Sequence, residues 1–266
     1  MHAFSAVGIF AILIGLLAIF YPGAITRDRR WLELGIVLVS ISFGLIRAWP
    51  RTIQRVFSSP NFTIRLIKDD IFSRPGHLVI GMCDTFDTAT PVIIDELSIQ
   101  GQMLSRIFKN DLAELDRQLE NALTRATLVG EIVKDGKRRK YALGTVAPLL
   151  QSGRRLFCIA YTEMNERNEA RASVDGIWTS LSALWKEVSA YANGEIISMP
   201  VIGGGQARIS QFLPAQDSVK LTILSFVLAS RREKICNGLD IIVRPNDFGG
   251  INGFEIQAFL DSLVPT

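Results

Sequence analysis

The sequence predicts an α/β domain with a central sheet, preceded by an N-terminal transmembrane helical hairpin. Uncharged apolar residues are concentrated before residue 50, whereas from residue 61 onward short β-rich runs alternate with helix-length segments. A hydrophobic fraction of 48% is also high for a purely soluble protein. We therefore expect two transmembrane helices in 1–50, an interfacial linker in 51–60 and one domain in 61–266.

The N-terminal region contains two apolar runs. Residues 4–21 carry no charged side chain and are long enough to span the hydrocarbon core as a helix. The second run, 31–49, has Glu33 and Arg47 near its ends and tryptophans at both boundaries. A cleaved signal peptide is the alternative for the first run, but no basic segment precedes it. Two spans would leave both termini in the cytoplasm, although arginines on both sides of the second run leave the orientation open.

The linker predicted in 51–60 carries Arg51 and Arg55 four residues apart, with apolar residues beside them. This spacing places both arginines on one side of a short helix with an apolar face, which is typical of an interfacial segment. We expect this helix to end at Pro60.

The domain is predicted from the periodicity of its apolar residues. Strands are predicted at 62–68, 77–83, 155–161, 195–202 and 234–244, and helices at 98–108, 111–126, 172–191, 215–231 and 253–263. In the helix over 111–126, Leu112, Leu115, Leu119 and Leu123 form one stripe, which predicts a buried face. An Asp-Gly turn between 127–133 and 139–145 predicts a β-hairpin, which we place at one edge of the sheet.

Composition argues against several classes of function. With 29 basic and 26 acidic residues and no basic stripe, the chain does not resemble a nucleic-acid-binding protein. Its three cysteines are far apart in apolar runs, which predicts buried thiols and no zinc site. Only two histidines occur, which argues against a histidine-dependent triad or a histidine-rich metal site. We therefore expect neither a bound metal nor a cofactor.

Three local patterns suggest where a ligand binds. Asp69 and Asp70 follow the first predicted strand, where an open α/β sheet places its ligand crevice, although a solvated acidic turn is the simpler interpretation. A later strand runs into three glycines at 203–205 and then a base, which predicts a phosphate-binding nest or a tight turn. Between them, the polar stretch 84–88 leads to a helix start that offers backbone N–H groups to a diphosphate.

In this order the three patterns resemble a macro domain, the fold that binds ADP-ribose, over residues 61–248. That resemblance implies a three-layer α/β/α domain with a mixed central sheet. Asp69-Asp70-Ile71 stands at the family's adenine-recognition motif, and the glycine run stands at its diphosphate-embracing loop. Asn246 or Phe248 would line the adenosine side. The ligand-binding residues so implied are Asp70, Ile71, Asp84, Gln100, Gly101, Gly203, Gly204, Gly205, Gln206, Arg208 and Phe248.

Two apolar spans before such a domain resemble the membrane effector of Thoeris anti-phage defence. That family implies an NAD-derived signal made by a partner TIR-domain enzyme, histidine-linked ADP-ribose, whose binding drives homo-oligomerisation and disruption of the host membrane. It also implies a multi-pass protein of the inner membrane with a cytoplasmic domain.

Two other functions stay open at this level. One is a membrane-tethered ADP-ribosyl hydrolase with Asp84 or Asp87 as the base. Against it, Met82-Cys83-Asp84-Thr85 replaces the asparagine pair of hydrolytic macro domains, so we expect a binding protein and no enzyme. The other is an anchored scaffold whose domain binds only protein.

Overall fold

The computed structural model of the chain describes residues 52–203 and 213–264. These residues belong to one compact unit that begins at Thr52. The two predicted spans in 1–50 lie outside the described residues. In the part that is described, no helix has both the length and the apolar character needed to cross a bilayer.

The described elements alternate between strands and helices. The strands are β1 Ile53–Ser58, β2 Asn61–Lys68, β3 His77–Cys83, β4 Leu128–Glu131, β5 Arg139–Tyr141, β6 Val146–Gln151, β7 Arg154–Met164, β8 Ala170–Arg171, β9 Ile196–Pro200 and β10 Gly238–Val243. The helices are α1 Ile99–Arg106, α2 Leu112–Leu123, α3 Val174–Tyr191, α4 Ala215–Arg232 and α5 Gly253–Ser262. Every helix predicted from the sequence is present, with ends shifted by up to three residues.

One mixed sheet organises the domain. Its strand order is β1-β2-β10-β9-β3-β7-β6, with β8 paired to β7. The five central strands, β2, β10, β9, β3 and β7, run parallel to one another. At the two edges, β1 and β6 are antiparallel to their neighbours. The carboxyl ends of five parallel strands therefore meet at one edge of the sheet.

Helices cover both faces of this sheet. Apolar residues of α3, α4 and α5 pack on one face around Trp185 and Phe226, whose rings are 5.0 Å apart. On the other face, α1 and α2 cover β3, β7 and β6. Leu115, Leu119 and Leu123 are buried as predicted, whereas Leu112 in the first turn is exposed. The predicted three-layer α/β/α arrangement with a mixed sheet is confirmed.

The prediction of a helical linker is wrong at Ile53–Ser58. This segment is strand β1, which pairs antiparallel with β2 and packs Phe57 on Phe62 at 4.6 Å between ring centroids. Its inward residues recur every second position, and Arg55 pairs with Asp261 of α5. The sheet thus begins at Ile53, before the predicted domain start at 61.

The predicted β-hairpin forms, but its position at the sheet edge is wrong. Strands β4 and β5 make a separate two-stranded sheet. The chain then turns at Gly144, whose φ of +87° is a left-handed conformation that glycine adopts without strain, and continues as β6. Strand β6, which contains Pro148 and was not predicted, is the edge strand.

The predicted burial of all three cysteine thiols is confirmed.

Candidate ligand-binding cleft

A cleft of about 1110 Å³ lies at the carboxyl ends of the parallel strands. Ligands of open α/β sheets usually bind at this edge, because the connections between strands and helices converge there. The residues after β2 and β10 line one end of the cleft, and the connection between β7 and β8 lines the other. The cleft is large enough for a nucleotide or dinucleotide.

Asp70 lies at the β2 end of the cleft, as predicted. It caps the 3-10 turn Ile71–Ser73, since its Oδ1 accepts the backbone N–H of Phe72 at 3.1 Å. Its Oδ2 lies 2.6 Å from Arg106 of α1, whose guanidinium stacks on the Phe72 ring at 4.7 Å. The hydrogen bond from Arg106 holds the pKa of Asp70 below its usual value. The carboxylate is therefore ionised at neutral pH and keeps lone pairs for another donor.

The wall next to Asp70 is formed by the predicted residue Ile71, by Val243 at the end of β10 and by 244–247, the segment after β10. Asn246 is part of this wall. Phe248 is not among the lining residues: it begins the next 3-10 turn, packs against the core and has the Lys68 ammonium 5.9 Å from its ring centroid.

Gly81 of β3 and Tyr161 of β7 lie side by side along the cleft. A Cβ at Gly81 would lie 2.4 Å from Cε1 of Tyr161, so the ring occupies the space that only glycine leaves. The Tyr161 hydroxyl is hydrogen-bonded by the backbone of Gly203, and burial raises the pKa of Tyr161 to about 12. The phenol is therefore neutral and holds the start of the predicted glycine run.

Gly203 itself has a φ of +84°, which suits the turn predicted there. The other residues predicted in this loop, Gly204, Gly205, Gln206 and Arg208, lie outside the described residues. Their roles stay predictions.

The start of α1 reaches the middle of the cleft, where Ser98, Ile99 and Gln100 are lining residues. Ser98 caps the helix by accepting the N–H of Gly101 at 3.0 Å. A Cβ at Gly101 would lie 2.3 Å from the carbonyl oxygen of Asp95, so Gly101 allows the first loop, residues 84–98, to pack against the helix. The side-chain amide of Gln100 donates to the backbone carbonyl of Asp87 in this loop.

Asp84 does not line the cleft. Its buried carboxylate accepts the backbone N–H of Met164 at 2.9 Å and pairs with Lys140 at 3.0 Å. Burial raises the pKa of Asp84. These contacts connect β7, β5 and the first loop, which is a structural role.

Asp87, the other acid considered as a base, is completely buried. Its Oδ2 lies 2.7 Å from Nζ of Lys134, and its Oδ1 accepts the backbone N–H of Lys137 at 2.7 Å. Lys134 and Lys137 belong to the turn between β4 and β5. The hairpin therefore anchors the first loop from outside the cleft.

The opposite end of the cleft is the far wall, which we define as Met164, Asn168, Glu169 and Ala170. Asn165 stabilises this turn by accepting the N–H groups of Arg167 and Glu169, each at 2.9 Å. The side-chain oxygen of Asn168 is buried without a hydrogen-bond partner. Because this oxygen is buried, it is an unsatisfied acceptor within the wall and not on its surface.

Several residues of the cleft were missed in the sequence. Arg106 stands on the exposed side of α1, and Tyr161 is one apolar position of a buried strand. Their roles depend on contacts across the sheet that periodicity does not reveal. In the described ranges 52–203 and 213–264, no group of three histidine, cysteine or acidic side chains is arranged to hold a metal ion.

Comparison with known proteins agrees with this geometry. The family model described as "Thoeris protein ThsA, Macro domain" matches residues 64–244. None of the curated proteins matches the sequence. The solved structures that resemble the fold include two mutants of the Oceanobacillus iheyensis macrodomain. One has a TM-score of 0.52 with 11% identity, covering 81% of this chain and 100% of the other. The second, solved with ADPR, has a TM-score of 0.54 with 10% identity, covering 80% and 100%.

The structural similarity at this level of identity establishes the fold. The family model covers more than half of the chain, including the strands that build the cleft. The chain therefore belongs to the Thoeris ThsA macro-domain family.

Proposed function

We propose that the cleft binds an ADP-ribose-type nucleotide, with its base at the β2 end. The observation that carries this proposal is the ionised carboxylate of Asp70 at the cleft edge, beside the Phe72 ring. A carboxylate accepts hydrogen bonds, so it favours a base with an exocyclic amine, as in adenine. Membership of the ThsA macro-domain family and the similar macrodomain solved with ADPR support the same ligand class.

The diphosphate would lie in the middle of the cleft. The positive end of the α1 dipole faces this region, and helix starts are favourable sites for anions. Gly203 is not a lining residue; it connects Ile202, which lines the cleft, to the predicted glycine loop. In this arrangement Gln100 and Gly101 act through the position of the α1 start, because their side-chain and Cβ surroundings are already occupied by the first loop.

The far wall supports a ligand that extends beyond the second ribose. Asn168 and Glu169 are polar residues that line this end of the cleft, and polar side chains favour a substituent that carries hydrogen-bond donors. The Glu169 carboxylate also accepts from Asn165 and pairs with Arg171. Histidine-linked ADP-ribose has this chemistry. We propose it as the signal, made from NAD by a partner TIR-domain enzyme.

The chain is proposed to bind this ligand without hydrolysing it. Asp84 and Asp87, the acids considered as bases, are buried in ion pairs with Lys140 and Lys134 and do not line the cleft. A general base needs hydrogen-bond reach to an attacking water. Incubation with ADP-ribosylated protein should therefore release no ADP-ribose, and release would contradict this part of the proposal.

At the level of the cell, we propose an anti-phage effector held in the inner membrane by residues 1–50, with its domain in the cytoplasm. Ligand binding would favour a homo-oligomer that disrupts the host membrane, through different affinities for two states. Liposomes that contain the full-length chain and a trapped dye should release the dye only when histidine-linked ADP-ribose is added. Ligand-independent release, or none, would contradict the effector mechanism.

The direct test of binding is calorimetric titration of the full-length chain with ADP-ribose and histidine-linked ADP-ribose in parallel. The proposal predicts saturable binding of both, with tighter binding of the histidine conjugate. Asp70→Ala should weaken binding of both ligands by roughly 10- to 100-fold, because a hydrogen bond to a charged acceptor is lost. Asn168→Ala should weaken binding of the conjugate only. Failure of the wild-type chain to bind either ligand would refute the proposal and favour an anchored scaffold.

A further inference from the structure

A charged cluster lies on the sheet face beside the cleft, and Asp240 of β10 is its centre. The Asp240 side chain is 1% exposed, and its neighbours across the sheet are Arg65 on β2 and Ser198 on β9. A buried carboxylate is costly unless cations neutralise it and donors satisfy its lone pairs. Arg65 and Arg74 both fulfil this requirement for Asp240.

The two arginines differ in what else they contact. Arg65 binds Asp240 with two nitrogens, at 2.6 and 3.0 Å, and no further acidic partner is observed for it in the described ranges. Arg74 places one nitrogen 3.2 Å from Asp240 and another 3.3 Å from Asp69. Arg74 therefore bridges the buried sheet and an acid of the cleft.

Asp69 carries this connection to the base-recognition residue. Its Oδ1 accepts the backbone N–H of Asp70 at 2.8 Å, and its own N–H donates to Val243 at 3.2 Å. Both Asp69 and Asp70 line the cleft, whereas Arg74 and Asp240 do not. The contacts form one continuous chain from Asp240 through Arg74 and Asp69 to the Asp70 backbone.

We propose that Arg74, held by Asp240, is a positioning residue that fixes the Asp69–Asp70 turn and so aims the Asp70 carboxylate at the base. This inference rests on the proposed function of the cleft. The Asp70 side chain is 45% exposed, and Arg106 and the Phe72 N–H hold its carboxylate. The backbone of the Asp69–Asp70 turn fixes the Cα from which this side chain projects. Hydrogen bonds weaken steeply when their geometry is poor, so a small rotation of this turn reduces recognition of the base amine.

The experiment compares the full-length wild type with Arg74→Gln and Arg65→Gln. Arg65→Gln is the control, because it removes the closer partner of Asp240, which binds it with two nitrogens, but leaves the bridge to Asp69. Each protein is titrated with ADP-ribose and with its hypoxanthine analogue, in which a carbonyl oxygen replaces the base amine. The ratio of the two dissociation constants reports on recognition by Asp70.

We expect the wild type to prefer adenine by roughly tenfold or more, since the analogue offers no amine hydrogen to the carboxylate. In Arg74→Gln this preference should fall to within about threefold of unity, whereas Arg65→Gln should keep the wild-type preference although it also loses thermal stability. Arg74→Lys should behave like the glutamine variant, because an ammonium lacks the fork that spans two carboxylates. It serves as the second variant if Arg74→Gln does not fold.

An unchanged preference in folded Arg74→Gln or Arg74→Lys, or an equal loss in Arg65→Gln, would overturn the inference while the proposed function stands. Absence of ADP-ribose binding by the wild type would instead refute the proposed function, and the inference with it.

Discussion

Replacing Lys134 with methionine should destabilise the domain strongly, because it leaves a buried carboxylate without its cation. The side chains of Lys134 and Asp87 are 0% and 1% exposed, and their charged atoms are 2.7 Å apart. The remaining partners of the Asp87 carboxylate are the Lys137 amide, the Thr85 hydroxyl and, at 4.0 Å, the Cys83 thiol. None of these supplies a compensating charge.

The expected cost follows from this burial. Removing one partner of a buried ion pair costs roughly 3–5 kcal/mol, and methionine preserves most of the aliphatic volume of lysine. Lys137→Met is the matched control in the same turn. Its ammonium pairs with Asp116, with side chains 30% and 31% exposed, and such a surface pair contributes about 0.2–1 kcal/mol. Its backbone N–H to Asp87 is unchanged by the substitution.

Urea unfolding of the full-length variants, followed by circular dichroism, measures both costs. Lys134→Met should lose at least about 2 kcal/mol more than Lys137→Met. Replacing both partners, with Asp87→Leu added to Lys134→Met, should recover part of this loss because no charge then remains buried. If Lys134→Met is no less stable than the control, the buried pair does not anchor the first loop as we describe.

Three further predictions concern thermal unfolding. Gly81→Ala should cost roughly 1–3 kcal/mol through its clash with the Tyr161 ring, and Tyr161→Ala in the same chain should relieve part of that cost. Burial lowers the pKa of His77 below 6.5, so wild-type Tm should fall as pH drops below 6.5, and less so in His77→Gln. The Tm of the wild type should exceed that of Asp70→Asn above pH 3.8, because the hydrogen bond from Arg106 lowers the pKa of Asp70. This difference in Tm should be lost as the pH falls below 3.8. A pH-independent difference in either comparison would contradict the assigned pKa shift.

Much of the fold could be predicted because its helices and central strands have clear periodicity. The leucine stripe of α2 and the apolar runs of β3 and β10 are local patterns, and these segments form the predicted helix and strands. The errors occurred at the sheet edges. Arg55 of strand β1 follows Arg51 in the sequence by four residues, a spacing that also fits a helix, and β6 contains a proline. In both cases pairing with a neighbouring strand overrides the local signal.

The candidate site was predicted less completely. The sequence placed Asp70 and Ile71 at this edge of the sheet because they follow a strand that ends there, and both line the cleft. Asp84 was expected at the ligand but pairs with Lys140, which comes from a hairpin far along the sequence. The pairing of Asp70 with Arg106 could not be predicted either, because a salt bridge between a turn and a helix leaves no periodic pattern in the sequence.

A crystal structure of the full-length chain with ADP-ribose would test the proposed binding mode most directly. We expect the adenine beside Phe72 with its amine within hydrogen-bond distance of Asp70, and the second ribose toward Asn168 at the far wall. A ligand bound outside this cleft, or bound in it with the base at the far wall, would contradict the proposed binding mode.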